Sequence, residues 1–67
     1  IENSGLYENV TVYENLKRFS ILYGVDEEAI TNVLKIVNLE YASLKKVSML
    51  SLMRQRLGIA IALLNEP

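Results

Sequence analysis

The chain has 67 residues, of which 51% are hydrophobic and 22% are charged, and its formal net charge is −1. This composition is typical of a globular protein and excludes a disordered one, while the length allows a single small domain. The absence of Cys and His excludes a disulfide framework and a Cys/His zinc site, and the balanced charge argues against a nucleic-acid binder.

Residues 1–10 read as a loop, and the first predicted helix runs from about Val12 to Tyr23. Thr11 and Glu14 match a capping box, in which each side chain bonds to the backbone amide of the other residue. Gly24 predicts a left-handed cap at the end of the helix. The apolar residues repeat at helical spacing on one face: Val12, Leu16, Phe19 and Tyr23.

A second helix is predicted to begin at Asp26 and to end near Asn38. Asp26, Glu27 and Glu28 suit the positive end of the helix dipole. We interpret them as a solvated capping turn, since a metal or catalytic role would need converging ligands from elsewhere. The residues predicted to be buried form one stripe: Ile30, Val33, Leu34 and Val37.

The remaining chain predicts a short turn at residues 39–42, a polar linker at 43–48 and a last helix from about Ser51 to Leu64. From Leu57 to Leu64 there is no polar side chain, and a helix of this kind is normally surrounded by protein, which 67 residues can barely provide. Gly58, Ala60 and Ala62 are expected to let neighbouring backbones approach closely. No alternation predicts a strand, so the fold class is all-α with three to four short helices.

No self-contained active site is visible. A serine at a helix start offers a hydroxyl and free amides to an anion, and Arg54 and Arg56 add positive charge near Ser51. By itself this is a weak indication of a phosphate site, because serine-capped helix starts are usually structural.

The longest apolar run in the sequence is far shorter than the ~20 residues that cross a bilayer.

Three stretches of the sequence carry a resemblance to a known family: residues 6–16 (LYENVTVYENL), 36–39 (IVNL) and 51–67. Together they resemble the helical subdomain of an ABC transporter ATP-binding subunit, in a branch similar to bacitracin- and lantibiotic-export proteins. Residues 6–16 (LYENVTVYENL) resemble the segment that follows the Q-loop. Residues 36–39 (IVNL) resemble an element usually written with Gly before Leu, and residues 51–67 resemble the signature motif and its helix. The resemblance divides the chain into a post-Q-loop segment (1–10), a helical lever (11–48) and a signature region (49–67).

The resemblance implies roles for particular residues. Signature residues contact ATP that the opposite ATPase subunit holds, and Glu2 stands at the Q-loop position. Leu6 and Tyr7 resemble the surface that receives the membrane-spanning partner. The implied parent uses ATP and Mg and lies in the cytoplasm, peripheral to the inner face of the membrane. The signature positions in this chain are Ser51, Leu52, Met53 and Gln55.

The chain departs from the family pattern in three places. Two family motifs are missing from these 67 residues: the phosphate-binding loop (Walker A) is expected before residue 1, and Walker B is expected after Pro67. The signature also lacks its Gly between Leu52 and Met53, and one residue fewer rotates the preceding chain by about 100° about the helix axis. That change would displace Ser51 and put a bulky Leu52 where a backbone approaches phosphate. A real deletion, an engineered alteration and a residue missing from the sequence all remain open.

We therefore expect a fragment of an ATP-binding subunit, inactive alone, without cofactor, and self-associating through the stretch from Leu57 to Leu64. The alternative is a stand-alone helical protein-interaction module. The surrounding coding sequence distinguishes them, because only the first interpretation requires Walker A upstream and Walker B downstream. An enzyme in its own right lacks the residues to carry a reaction.

Overall fold

The computed structural model describes residues 6–47 and 51–65, without the side chain of Ser51. Over these residues helix α1 spans Val12–Tyr23, α2 spans Glu28–Ile36 and α3 spans Ser51–Leu64. A 3-10 turn at Glu40–Ala42 connects α2 to the segment before α3. The described part of the chain contains no strand, only one isolated antiparallel bridge between Thr11 and Lys46. The predicted all-α class is confirmed.

Helix α1 has the predicted bounds and caps, with one exception. The Thr11 hydroxyl accepts a hydrogen bond from the Glu14 amide at 2.9 Å, and Gly24 adopts a left-handed φ of 72°. The second half of the predicted capping box is wrong, because the Glu14 carboxylate pairs with Arg18 Nε at 3.3 Å. A cation one turn further along the same helix is a close neighbour, and it competes successfully for the carboxylate.

Helix α2 begins at Glu28, two residues later than predicted, after a tighter turn. The amides of Ala29 and Ile30 donate to the carbonyls of Asp26 and Glu27 at 3.0 and 2.9 Å. These bonds join residues three apart, as in a 3-10 turn, so the α-helical pattern starts only after them. Asn38 follows α2 with a positive φ of 60°, a conformation that Asn tolerates better than most residues, and it ends the helix as predicted.

The predicted polar linker folds back onto the start of α1. The carbonyls of Lys45 and Ser43 accept from the amides of Val12 and Tyr13 at 2.9 and 2.8 Å. The first amides of a helix have no partner within the helix, so these two bonds satisfy donors that would otherwise be orphaned. Val47 is buried at the end of this segment, which makes it part of the core.

Helix α3 packs against both α1 and α2, but only one of its faces is buried. Leu57, Ala60 and Leu64 are inside, whereas Ile59 is 52% exposed. The exposure of Ile59 agrees with the expectation that this apolar helix has more apolar surface than a chain of 67 residues can cover. A Cβ added at Gly58 would meet no atom within 4 Å, and Ala62 is exposed. The close approach predicted at Gly58 and Ala62 is therefore wrong, whereas Ala60 is fully buried in the core.

The buried apolar residues form one continuous cluster that all three helices share: Val12, Leu16, Ile30, Val33, Leu34, Val37, Leu39, Ala42, Val47, Leu57, Ala60 and Leu64. No helix in the described ranges is long and apolar enough to cross a membrane.

Candidate functional site

The segment before α1, residues 6–10, is held in place by one buried side chain. Asn15 is fully buried in α1, and its Oδ1 accepts from the Tyr7 amide at 2.7 Å. Its Nδ2 donates to the Tyr7 carbonyl at 2.8 Å and to the Thr11 carbonyl at 3.0 Å. Both backbone polar groups of Tyr7 are thereby fixed to α1. We call these three hydrogen bonds the Asn15 clamp.

The two residues predicted to bind a partner differ in their exposure. Leu6 is partly buried against the core, whereas the Tyr7 side chain is 44% exposed. The Tyr7 ring lies 6.2 Å from the ring of Phe19, and the Arg18 guanidinium stands 4.7 Å above its centroid. Tyr7 therefore presents a supported aromatic surface to the outside, and Leu6 mainly anchors the segment.

The first turn of α3 carries the predicted signature residues. Leu52 is 57% exposed and Gln55 is also exposed, but Met53 packs against the core. Ser51 opens the helix, and its side chain lies outside the described atoms, as does the whole of Glu2. The structure thus brings Leu52 and Gln55 to the surface and turns Met53 inward.

A shallow groove lies between this turn and the 3-10 turn, with a volume of about 80 Å³. Small-molecule sites usually measure about 300–1,000 Å³, so the groove cannot enclose a nucleotide. Five residues line it: Leu39, Tyr41, Leu52, Met53 and Arg56.

An ion pair joins the segment before α1 to the first turn of α3. Glu8 Oε2 lies 2.7 Å from Arg54 Nη2, and the side chains are 36% and 22% exposed. The two residues are remote in sequence, so the pair fixes one end of the chain against the other. The sequence-based expectation that Arg54 simply adds positive charge for an anion is therefore incomplete, because Glu8 already offsets that charge.

A second polar cluster joins α1 to the turn before α2. Tyr13 Oη donates to Glu27 Oε2 at 2.6 Å, and Lys17 Nζ lies 3.1 Å from the same oxygen. The hydrogen bond from Tyr13 and then the contact with Lys17 lower the pKa of the Glu27 carboxyl. The hydrogen bond to Glu27 in turn raises the pKa of both Tyr13 and Lys17. Glu27 is exposed, as expected for the predicted solvated turn, and it also ties this turn to α1.

Within residues 6–47 and 51–65 no group of three or more acidic side chains is arranged to hold a metal ion. The described side chains also leave no buried nitrogen or oxygen without a hydrogen bond. The described residues therefore offer contact surfaces and rigid connections between them.

Sequence reasoning missed Glu8 and Asn15, the two polar residues that organise this site. Asn15 had a signal, because it lies between Val12 and Phe19 on the inner face of α1, where a polar residue must find partners. Glu8 had none, since its partner Arg54 follows from the tertiary fold alone.

No family model matches the chain, and no solved structure matches it. Several curated proteins do match it in sequence. The lantibiotic transport ATP-binding protein SrtF of Streptococcus pyogenes is 43% identical over 68 residues, covering 100% of this chain and 30% of SrtF. The bacitracin transport ATP-binding proteins BcrA of Enterococcus faecalis and Bacillus licheniformis are 44% and 45% identical over 69 residues, each covered to 22%. The chain thus spans less than a third of the length of these relatives. The match to SrtF is one position longer than the 67 residues of the chain and the matches to BcrA are two positions longer, so these relatives have additional residues within the matched region.

Proposed function

Because this chain is homologous over its whole length to part of ABC transporter ATP-binding proteins, we propose that it acts as the helical subdomain of such a protein. Identity of 43–45% across every residue of the chain carries the proposal. In this arrangement residues 1–10 follow the Q-loop, residues 11–48 form a helical lever, and residues 49–67 form the signature region. The subdomain couples ATP binding and hydrolysis to a membrane-spanning partner.

The partner side of the proposal rests on Tyr7. Its ring is 44% exposed, while its backbone is fixed to α1 by the Asn15 clamp. An outward aromatic ring on an immobilised backbone suits a contact surface, because the backbone is already ordered and loses little conformational entropy on binding. Leu6 contributes by holding the segment to the core. We place this surface against the membrane-spanning subunit, at the cytoplasmic face of the membrane.

The nucleotide side of the proposal rests on the first turn of α3. Ser51, Leu52, Met53 and Gln55 occupy the signature positions, and they would meet ATP and its Mg ion bound to a second ATPase subunit. The exposure of Leu52 and Gln55 supports this assignment, and the inward packing of Met53 speaks against a direct contact from that residue. Glu2 stands at the Q-loop position of the same proposal.

A chimera tests the proposal. The matched 68-residue segment of SrtF is replaced by this chain, and ATP hydrolysis is measured with the SrtF membrane partner present. We expect the chimera to assemble with the partner but to hydrolyse ATP about 100-fold more slowly than SrtF, on the scale of losing one preorganised contact to the reacting group. A Gly inserted between Leu52 and Met53 should restore most of the rate.

An Ala inserted at the same place is the matched control. It restores the helical register without the close backbone approach that Gly allows. Recovery with Gly and not with Ala assigns the loss to backbone approach, and recovery with both assigns it to register. A chimera that fails to assemble with the partner would refute the proposed function. So would a chimera that stays inactive with both the Gly and the Ala insertion while SrtF is active.

The second candidate is a stand-alone helical interaction module. Several large apolar side chains outside the signature region favour it, since Ile21, Leu22 and Leu44 are 70%, 73% and 81% exposed. A coding sequence that ends near Pro67 would support this alternative. A coding sequence with Walker A upstream and Walker B downstream would support the ATP-binding subunit.

A further inference from the structure

The Glu8–Arg54 ion pair, at 2.7 Å, is shorter than the Lys17–Glu27 and Glu14–Arg18 pairs, at 3.1 and 3.3 Å. It is also less exposed than the Lys17–Glu27 and Glu14–Arg18 pairs. Partial burial reduces the screening that makes most surface pairs ineffective, and a short contact to a charged oxygen is a strong one. This pair therefore restrains the two segments that it joins.

Each end of the ion pair lies beside a residue of the proposed function. Glu8 directly follows Tyr7, whose backbone is fixed to α1 by the Asn15 clamp. Arg54 lies in the first turn of α3, between the signature positions Met53 and Gln55. A continuous connection thus runs from the exposed ring of Tyr7, through Glu8 and Arg54, to the start of α3.

We propose that Glu8 is a positioning residue that, through Arg54, holds the first turn of α3 in a fixed orientation relative to the Tyr7 surface. A displacement of Tyr7 by a bound partner then moves the signature residues with it. This inference rests on the proposed function for the identity of the two surfaces. The connection itself rests on the ion pair and the clamp alone.

Hydrogen exchange tests the connection in the chain itself. Glu8→Gln removes the charge at nearly constant size, so the first turn of α3 should open more often. We expect amide exchange in the peptide covering residues 51–57 to accelerate about fivefold, which is the scale of one partly buried ion pair. Exchanging the charges, with Glu8→Arg and Arg54→Glu together, should return the rate to within about twofold of the original.

Glu14→Gln is the matched control for this measurement. It removes the carboxylate from the Glu14–Arg18 pair, which lies within α1 at 3.3 Å, and it should leave exchange in residues 51–57 unchanged. Equal exchange in the Glu8→Gln variant and the original chain would overturn the connection. So would a double variant that exchanges no more slowly than the single one.

The functional arm uses the SrtF chimera with the inserted Gly. We expect Glu8→Gln to lower the ratio of partner-stimulated to basal ATP hydrolysis by about fivefold, and Glu14→Gln to leave that ratio unchanged. An unchanged ratio in an active chimera overturns the positioning role and leaves the proposed function standing. An inactive chimera with native Glu8 overturns the proposed function, and hydrogen exchange still decides whether the connection exists.

Discussion

Replacing Asn15 by Ala should destabilise the chain more than the loss of a single polar side chain usually does. The substitution removes three hydrogen bonds, two to the backbone of Tyr7 and one to the Thr11 carbonyl. Each bond contributes about 1 kcal/mol net, and more where a backbone group is left buried without a partner. We therefore expect a loss of about 3 kcal/mol. A domain of this length has a free energy of unfolding of only roughly 3–10 kcal/mol, so the change removes a large part of it.

Urea unfolding followed by far-ultraviolet circular dichroism measures this loss, because the helices supply the signal. Asn32→Ala is the matched control, since Asn32 is exposed on α2 and the same atoms are deleted there. Exposed substitutions of this kind change stability by about 0.5 kcal/mol or less. The midpoint should therefore fall strongly for Asn15→Ala and stay nearly constant for Asn32→Ala.

Asn15→Asp separates the clamp from side-chain volume. The new carboxylate still accepts from the Tyr7 amide, but it has no hydrogen to donate to the carbonyls of Tyr7 and Thr11. At neutral pH this variant should be at least as unstable as Asn15→Ala, and it should regain stability relative to the original chain on acidification, when the buried carboxyl binds a proton. If Asn15→Ala and Asn15→Asp were both as stable as the original chain at neutral pH, the clamp would be refuted.

Two further predictions concern glycine and pH. Gly24→Ala should lower the free energy of unfolding by about 1 kcal/mol because of the φ of 72° at this position. Gly58→Ala should raise it by about 0.5–1 kcal/mol, since the site is helical with open space around it. Urea unfolding measures both changes. The lowered pKa of Glu27 means that the contribution of this residue to stability is present above the pKa of the unfolded carboxyl and is lost as pH falls through the folded-state pKa. The midpoint temperature of thermal unfolding should therefore fall less steeply from about pH 7 to about pH 3 in the Glu27→Gln variant than in the original chain.

The helices were predictable because their signals are local. Thr11 and Gly24 mark the ends of α1 with residue types that suit an N-cap and a left-handed C-cap, and the structure has both caps where predicted. The bounds of α3 also agree with the prediction. The start of α2 was missed because Asp26 and Glu27 suit either a 3-10 turn or an α-helical first turn, and the choice depends on the contacts of Glu27 with α1.

The organisation of the candidate site was not predictable because it depends on contacts between remote residues. The ion pair between Glu8 and Arg54 has no spacing rule, unlike the i,i+4 pair of Glu14 and Arg18. The same holds for the linker carbonyls of Ser43 and Lys45 that bind the first amides of α1. Periodicity reports which face of a helix is apolar, but it does not report which segment will cover its end.

The place proposed for the missing signature residue, between Leu52 and Met53, explains how the fold would tolerate its absence. The residues of α3 that the structure describes as buried, Leu57, Ala60 and Leu64, all follow the proposed gap, and they keep their mutual helical spacing whatever precedes them. Leu52, just before the gap, is largely exposed. The change therefore acts on the register of Ser51 and Leu52 and not on the packing of the core. By the same reasoning, the Gly insertion expected to restore hydrolysis in the chimera should leave the urea midpoint of the chain unchanged, so a large shift in that midpoint would show that the gap serves the fold itself.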